Sequence, residues 1–203
     1  MTGKLRLIEP LAVFAGIMAY IWLMRFAHPW LVVPILLIVA GSHFARNEHA
    51  PSLGFRAGQL RECIRKFGPL LAALVLITLA GGWLLGTIRP IGLNRAALGF
   101  ALYLPWGLFQ QYLLNGYFLK RFDTVLPPLA SDATTAALFS AVHCPNLFLM
   151  LLTPVAGYAS IRIYRRYGNL YFLGMAHATI GILLFMAFPD TVIHHLNIGP
   201  GAR

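Results

Sequence analysis

Charged residues and cysteine are both scarce in this chain. Only 11% of its 203 residues are Asp, Glu, Lys or Arg, whereas a soluble globular domain has about 25%. This shortage excludes an ordinary soluble domain. Two cysteines do not indicate a disulfide framework; Cys63 falls in a predicted polar loop and Cys144 in an apolar run. No soluble domain, long linker or internal repeat is visible, so we treat residues 1–203 as a single transmembrane domain.

Long apolar runs make up most of the sequence, of which 59% is hydrophobic. Several runs reach the roughly 20 residues needed to cross a hydrocarbon core of about 30 Å. The predicted fold is all-α, a polytopic bundle of about seven membrane spans. Because "AYIWLMRFAHPW" contains no small-residue cleavage site, we expect the first span to stay uncleaved. The predicted spans lie near 8–24, 29–44, 69–88, 96–119, 132–144, 147–164 and 168–188.

The net charge of +10 is concentrated in short segments between the apolar runs. That distribution suits loops at an anionic membrane surface, and we expect a lipid bilayer and no nucleic acid as partner. With a cytoplasmic N-terminus, twelve Lys and Arg fall on the cytoplasmic side and four on the other. The positive-inside rule therefore predicts this orientation, in a cytoplasmic (inner) membrane.

Two polar features outside the predicted spans have local interpretations. In "SLGFRAGQLRECIRKFG", Leu60, Ile64 and Phe67 lie at helical spacing, which favours an amphipathic helix on the cytoplasmic face; an ordinary basic loop is the alternative. Asp132 follows a serine at the start of the fifth span, and we expect it to cap that helix.

Polar residues also interrupt the spans, and they do so at similar depths. At a rise of about 1.5 Å per residue, Gln110, Gln111 and His177 come about 13 Å from the predicted cytoplasmic end, and His143 about 18 Å. A polar group buried in a bilayer needs a partner. We therefore predict a shared polar cavity on the cytoplasmic side. The alternative is simple hydrogen bonding between helices, worth about 0.6 kcal/mol per bond.

Three motifs in order add a family resemblance across residues 50–187. They are "FQQYLLNGYFLKRF", then "FSAVHCPN" with Phe139 and His143, and then "YGNLYFLGMAHATIGILL" with His177. The chain resembles the CAAX-protease and bacteriocin-processing family (CPBP, or Abi), which are glutamic-type intramembrane endopeptidases. That family carries E-E-x-x-x-R, F-x-x-x-H and H-x-x-x-N on successive helices. The resemblance implies that the first glutamate and the second-motif histidine activate a water, while the last histidine and asparagine stabilise the oxyanion.

The chain departs from the family pattern at four positions. Gln110 and Gln111 replace the glutamate pair, Asn115 replaces the arginine, and Gly181 replaces the asparagine. An amide cannot act as a general base, a role worth about 10²–10⁴-fold in rate. A lost oxyanion donor costs about 10²–10³-fold. Because every replacement is neutral, no unpaired charge is left behind.

By this resemblance, the catalytic positions are Gln110, Gln111, His143 and His177, and the substrate cavity includes Asn115, Phe139 and Gly181.

Three interpretations follow from the sequence. The first is a CPBP-family pseudoenzyme with weak or no glutamic-protease activity, which binds membrane-associated peptide or lipid-linked segments in the former active-site cavity as an immunity or regulatory factor. The second is an active hydrolase in which His143 and His177 work with Gln110 and Gln111, the amides positioning water. The third is a membrane scaffold or transporter unrelated to proteolysis. Two histidines fall short of the usual three protein ligands of a metal, and we expect no metal and no cofactor.

Overall fold

The computed structural model describes residues 3–202 of the chain, and this part is all-helical. Arg203, one of the four residues on the non-cytoplasmic side of the charge count, lies outside it. The long helices follow the order of the predicted spans. They are α1 (Gly3–Ala19, continued by a π-helical turn at Tyr20–Met24), α2 (Val32–Ala45), α3 (Leu60–Leu84), α4 (Leu93–Gln111, continued by a π-helix at Tyr112–Leu119 and by Lys120–Phe122), α5 (Pro128–Ala141), α6 (Leu147–Tyr167) and α7 (Leu170–Ala187). A short helix, α8, follows at Asp190–Ile193.

The surface of the bundle is apolar, as a lipid environment requires. Four helical stretches of the described chain are long and apolar enough to cross a membrane: Arg6–Met24, α3, α6 and α7. Large apolar side chains on them are exposed, among them Ile77 at 69% and Val155 at 72%. Exposed apolar surface on this scale marks contact with lipid or protein. The chain is an integral membrane protein; the count of seven spans and the cytoplasmic cavity stay predictions.

The third helix begins earlier than its hydropathy indicates. Helix α3 starts at Leu60 and continues without a break through Pro69. The stretch from Leu60 is therefore helical, as its spacing indicates, but it forms the first turns of the third long helix, and a basic loop over these residues is wrong. Cys63 is fully buried in its first turns, against Tyr167 and Phe172, instead of lying in a polar loop. Tertiary packing of this first apolar stripe explains why helix replaces loop.

Side-chain caps fix the junctions around α6 and α7. The Asn146 side chain accepts a hydrogen bond from the Leu149 amide and so starts α6. Gly168 ends α6 with φ 54°, a left-handed conformation that glycine adopts without steric cost. The next residue, Asn169, accepts a 2.9 Å hydrogen bond from the Phe172 amide and starts α7. The turn is therefore tight, and α7 leaves it to pack mainly against α4 and α3.

Glycines bring α4 and α7 into close contact. A Cβ added at Gly107 would lie 3.1 Å from the Gly174 carbonyl oxygen, and one added at Gly174 would lie 2.9 Å from the Cα of Leu108. Small residues let transmembrane helices approach closely enough for dispersion contacts and hydrogen bonds to hold them. This contact sets the distance between the two helices that carry the amide and imidazole groups.

A buried ionic cluster joins α1, α2 and the end of α4. Arg121 is 2% exposed and donates to Glu48 at 2.7 Å and to Glu9 at 3.3 Å. Arg46 donates to Glu9 at 2.6 Å, and the Tyr117 hydroxyl donates to the same carboxylate at 3.2 Å. These charges are matched in place, as buried charges must be.

A second ionic contact joins α5 to α6. Asp132 is 1% exposed and accepts from the Arg165 side chain at 2.7 Å. Helix α5 begins at Pro128 with Pro127 as its N-cap, so the expected capping role of Asp132 is wrong. Its carboxylate serves a buried ion pair instead.

Candidate functional site

Gln111, Asn115 and Ser160 form a buried hydrogen-bond network between α4 and α6. Asn115 is 0% exposed and donates through Nδ2 to Gln111 Oε1 at 3.0 Å and to Ser160 Oγ at 3.0 Å. Ser160 Oγ in turn donates to Gln111 Oε1 at 2.5 Å. The network lies where the helix passes into its π-helical segment, a feature often found at functional sites. By the resemblance, two amides thus stand at the positions of the family's second glutamate and its arginine, and a hydroxyl from α6 is hydrogen-bonded to both.

The network extends to α7 through His177. Gln111 Nε2 lies 3.2 Å from His177 Nδ1. Since Gln111 Oε1 already accepts two hydrogen bonds, the amide nitrogen is the donor in this contact and Nδ1 is the acceptor. A neutral His177 therefore carries its proton on Nε2. A carboxylate at position 111 could only accept, which would move that proton to Nδ1.

His143 reaches the same region from the turn after α5. It lies two residues beyond the end of the helix at Ala141, not within the helix, and it is 7% exposed. Its Nδ1 lies 2.6 Å from the Phe139 carbonyl oxygen, so Nδ1 is the donor and Nε2 keeps a free lone pair. The Phe139 ring contacts both imidazoles, with centroids 5.0 Å from His143 and 6.2 Å from His177.

Tyr103 fills the space beside Gly181. Its ring stacks on the His177 imidazole, with centroids 6.1 Å apart and planes at 26°. A Cβ added at Gly181 would lie 2.5 Å from Tyr103 Cε1. The tyrosine ring therefore occupies the volume into which the family's asparagine would project, and Gly181 is the residue that permits it.

Gln110 lies apart from the network. It is half-buried, with the Tyr103 hydroxyl as its side-chain neighbour. Among residues 3–202, no direct hydrogen bond joins Gln110 to His143, the pair expected to hold a water. The catalytic role of both residues stays a prediction.

Carboxylates are absent from this network, and the chain has few to supply. It contains six Asp and Glu residues. Arginine pairs hold five of them, and the sixth, Glu62, is exposed at the start of α3. The five are Glu9 and Glu48 with Arg121, Asp123 and Asp132 with Arg165, and Asp190 with Arg89. The described chain also contains no group of three His, Cys, Asp or Glu residues that could hold a metal ion.

Comparison with known families supports the resemblance drawn from the motifs. Residues 92–183, which include α4 to most of α7, match a family model described as "Type II CAAX prenyl endopeptidase Rce1-like". Over these residues, a little under half of its length, the chain is similar to the CAAX-protease (CPBP) family. No curated protein and no solved structure matches it significantly. The matched range contains every predicted site residue from Gln110 to Gly181.

Two residues of this CAAX-protease relative were missed by the sequence interpretation, Tyr103 and Ser160. Ser160 is a single hydroxyl in an apolar run, and Tyr103 is one of eight tyrosines. A signal for Tyr103 does exist. It precedes Gln110 by seven residues, two helical turns, and so shares its helix face. Ser160 lies on a helix that carries none of the family's motif residues, and no spacing rule singles it out.

Proposed function

We propose that this CAAX-protease relative has little or no glutamic-protease activity and binds a membrane-associated peptide segment beside the positions of the family's catalytic residues. The observation that supports the proposal is the neutral network of Gln111, Asn115 and Ser160, which is hydrogen-bonded without a carboxylate. General-base catalysis needs a group that takes a proton and contributes about 10²–10⁴-fold. An amide oxygen does not take one near neutral pH.

The ion pairs add to this reasoning, because they occupy every acid of the chain except Glu62, which is exposed at the start of α3. Each of the five paired carboxylates is already held by an arginine. An adjacent arginine stabilises the ionised carboxylate and so weakens it as a base.

The proposal also includes an N-terminus in the cytoplasm, from the twelve-to-four distribution of Lys and Arg. The test is a reporter enzyme that is active only outside the cytoplasm, fused to the N-terminus of the chain. Activity of this fusion would contradict the proposed orientation.

A second candidate, an active peptidase, is favoured by one observation. His143 donates from Nδ1 to the Phe139 carbonyl oxygen, which leaves Nε2 free to accept a proton from water. His177, protonated on Nε2, could then donate to an oxyanion. In this mechanism His143 is the base, and the amides of Gln110 and Gln111 only orient the water.

A cleavage assay separates the two candidates. The probe is a quenched fluorogenic peptide with a farnesylated cysteine four residues from its C-terminus, since the matched family model describes CAAX prenyl endopeptidases. Purified native protein is compared with the His143→Ala, Gln110→Glu and Gln110→Ala variants. Under the first proposal the native rate equals that of His143→Ala, and Gln110→Glu exceeds it by about 10²-fold or more, the lower bound for a general base. Gln110→Ala controls for the loss of the amide and stays inactive.

Native cleavage that His143→Ala abolishes would overturn the first proposal and establish the second. Absence of cleavage in every variant, including one that also carries Gln111→Glu with Asn115→Arg, would show that the amide substitutions are not what silences the chain. Binding is read separately, from displacement of a fluorescent farnesylated peptide by its unlabelled form.

A further inference from the structure

A basic cavity lies at one end of the bundle, outside the site described above. Its volume is about 330 Å³, and three segments line it: the loop before α3, the end of α4 and the end of α6. Each segment contributes a cation. Arg56 comes from the loop, Lys120 from α4, and Arg165 and Arg166 from α6, with Asp123 as the one acidic residue of the lining.

The charges in this cavity do not balance. Arg165 is matched by Asp123, which it holds with two hydrogen bonds, and by Asp132. Arg56 and Arg166 form no ion pair within residues 3–202. Lys120 is paired with Glu48 at 3.1 Å, so the two arginines are the cations of the lining that have no carboxylate partner among the described residues. The C-terminal ends of two helices lie nearby and carry about −0.5 each, which offsets about half of these two charges and leaves a positive excess.

The cavity also holds an acceptor without a donor. The side-chain oxygen of Gln59 is buried and has no hydrogen-bond partner among the described residues, and Gln59 lines the cavity. A buried polar atom left unpaired destabilises the fold. A ligand that combined an anion for the two arginines with a hydroxyl for Gln59 would satisfy both groups.

The position of the cavity relative to the membrane-crossing helices indicates which class of anion it could bind. Helix α6 is one of the stretches able to cross a membrane, and its last residue, Tyr167, lines the cavity. The cavity therefore lies at the edge of the membrane-crossing region, where lipid phosphates are found. Two of its residues, Leu119 and Tyr164, each follow a member of the buried network, Asn115 or Ser160, by one helical turn.

We propose that this cavity binds a phosphate ester that carries a neighbouring hydroxyl, of the kind present in a glycerol-phosphate lipid headgroup. The arginines contact the phosphate, since the planar guanidinium pairs well with phosphate oxygens. The hydroxyl donates to Gln59. Two sources supply this chemistry, a lipid headgroup and a soluble phosphate ester.

The test measures binding of fluorescent phosphatidylglycerol to the purified chain in neutral detergent, with phosphatidylcholine as the uncharged comparison. The Arg56→Gln/Arg166→Gln variant removes the two unpaired cations. Its matched control, Arg61→Gln/Arg65→Gln, removes the same charge from exposed residues that are not in the cavity lining. We expect the dissociation constant for phosphatidylglycerol to rise at least tenfold in the first variant and less than twofold in the control.

Competition by glycerol 1-phosphate identifies the source. Displacement of the lipid at equal concentration supports a soluble ester, and displacement only at a large excess supports the lipid headgroup. Equal affinity for phosphatidylcholine, or equal loss in both double variants, would overturn the proposal in favour of general surface attraction. Binding of an acidic peptide with no binding of either phosphate ester would overturn it as well. Both variants change exposed side chains, and their unfolding temperatures check that they fold.

Discussion

Gly181→Ala tests whether Tyr103 has taken the space of the family's asparagine. The added Cβ would lie 2.5 Å from Tyr103 Cε1, whereas carbon atoms pack best at about 3.5–4.0 Å. Relieving an overlap of about 1 Å requires the ring to leave its stacked position on His177. Overpacking of this kind costs about 1–3 kcal/mol, offset in part by the 0.5–1 kcal/mol or so that alanine gains over glycine in a helix.

The assay is thermal unfolding in detergent, followed by tryptophan fluorescence. For a chain of this size, each kcal/mol shifts the midpoint by about 2–4 °C, so Gly181→Ala should unfold several degrees lower than the native chain. In the Tyr103→Ala background the same change meets open space and should cost nothing. The two single changes and their double combination form a cycle, with an expected coupling of about 1–3 kcal/mol.

The matched control is Gly99→Ala in the same helix pair. A Cβ at Gly99 would lie 3.4 Å from the flexible end of Ile182, so this variant should be neutral or slightly more stable. The reasoning is refuted if Gly181→Ala is as stable as Gly99→Ala, or if its effect adds independently to that of Tyr103→Ala. Either result would mean that the ring does not lie over Gly181.

Two further predictions concern the ionic cluster of α1, α2 and α4. Arg121→Met leaves Glu9 and Glu48 without their shared buried partner and should lower the free energy of unfolding by about 3 kcal/mol, the lower end for breaking a buried pair, because each carboxylate keeps another cation. The control is Arg46→Met, whose side chain is 36% exposed and whose loss should cost less than about 1 kcal/mol. Equal thermal midpoints for the two variants would contradict the buried role of Arg121. Burial alone would raise the pKa of Glu48, but hydrogen bonds from Arg121 and its neighbours outweigh burial and lower it from 4.5 to about 2. A carboxyl with a depressed folded-state pKa stabilises the fold above its unfolded pKa and loses that contribution as pH falls. The stability of the native chain should therefore drop between pH 4.5 and 2, and Glu48→Gln should flatten this drop. Parallel profiles of stability against pH for the two proteins would contradict this prediction.

The helices were predictable because hydropathy and length determine them. Apolar runs long enough to cross a bilayer have few alternatives to helix, and the long helices of the described chain follow the predicted order. Boundaries were less predictable. Hydropathy drops before residue 69, yet α3 begins at Leu60 because Cys63 and its neighbours pack against Tyr167. That contact joins residues about a hundred positions apart, and no local pattern carries it.

The site was predictable where it depends on helix geometry and motif order. Four-residue spacing puts Gln111 and Asn115 on one helix face, and a hydrogen bond joins them. Their depth led us to expect His177 nearby, and Gln111 contacts it at 3.2 Å. Partners chosen only by three-dimensional packing were not predictable. The pairing of Asp132 with Arg165 is the clearest case, because a carboxyl near a helix start is normally a cap.

The distribution of unpaired atoms bears on whether the neutral site is a reworked one or a decayed one. Substitution of a buried acid and arginine at random would leave several donors and acceptors without partners, each costing about 1–3 kcal/mol. In the network of Gln111, Asn115 and Ser160, one such atom remains, the Asn115 side-chain oxygen. The others are matched, with Ser160 both accepting from one amide and donating to the other. We take this economy as support for the hypothesis that the site is reworked into a stable, uncharged one. A cation at position 115 would remove the one unpaired acceptor but would itself be buried without a carboxylate unless Gln111 also changed. Restoration of the family's chemistry therefore requires the two positions to change together.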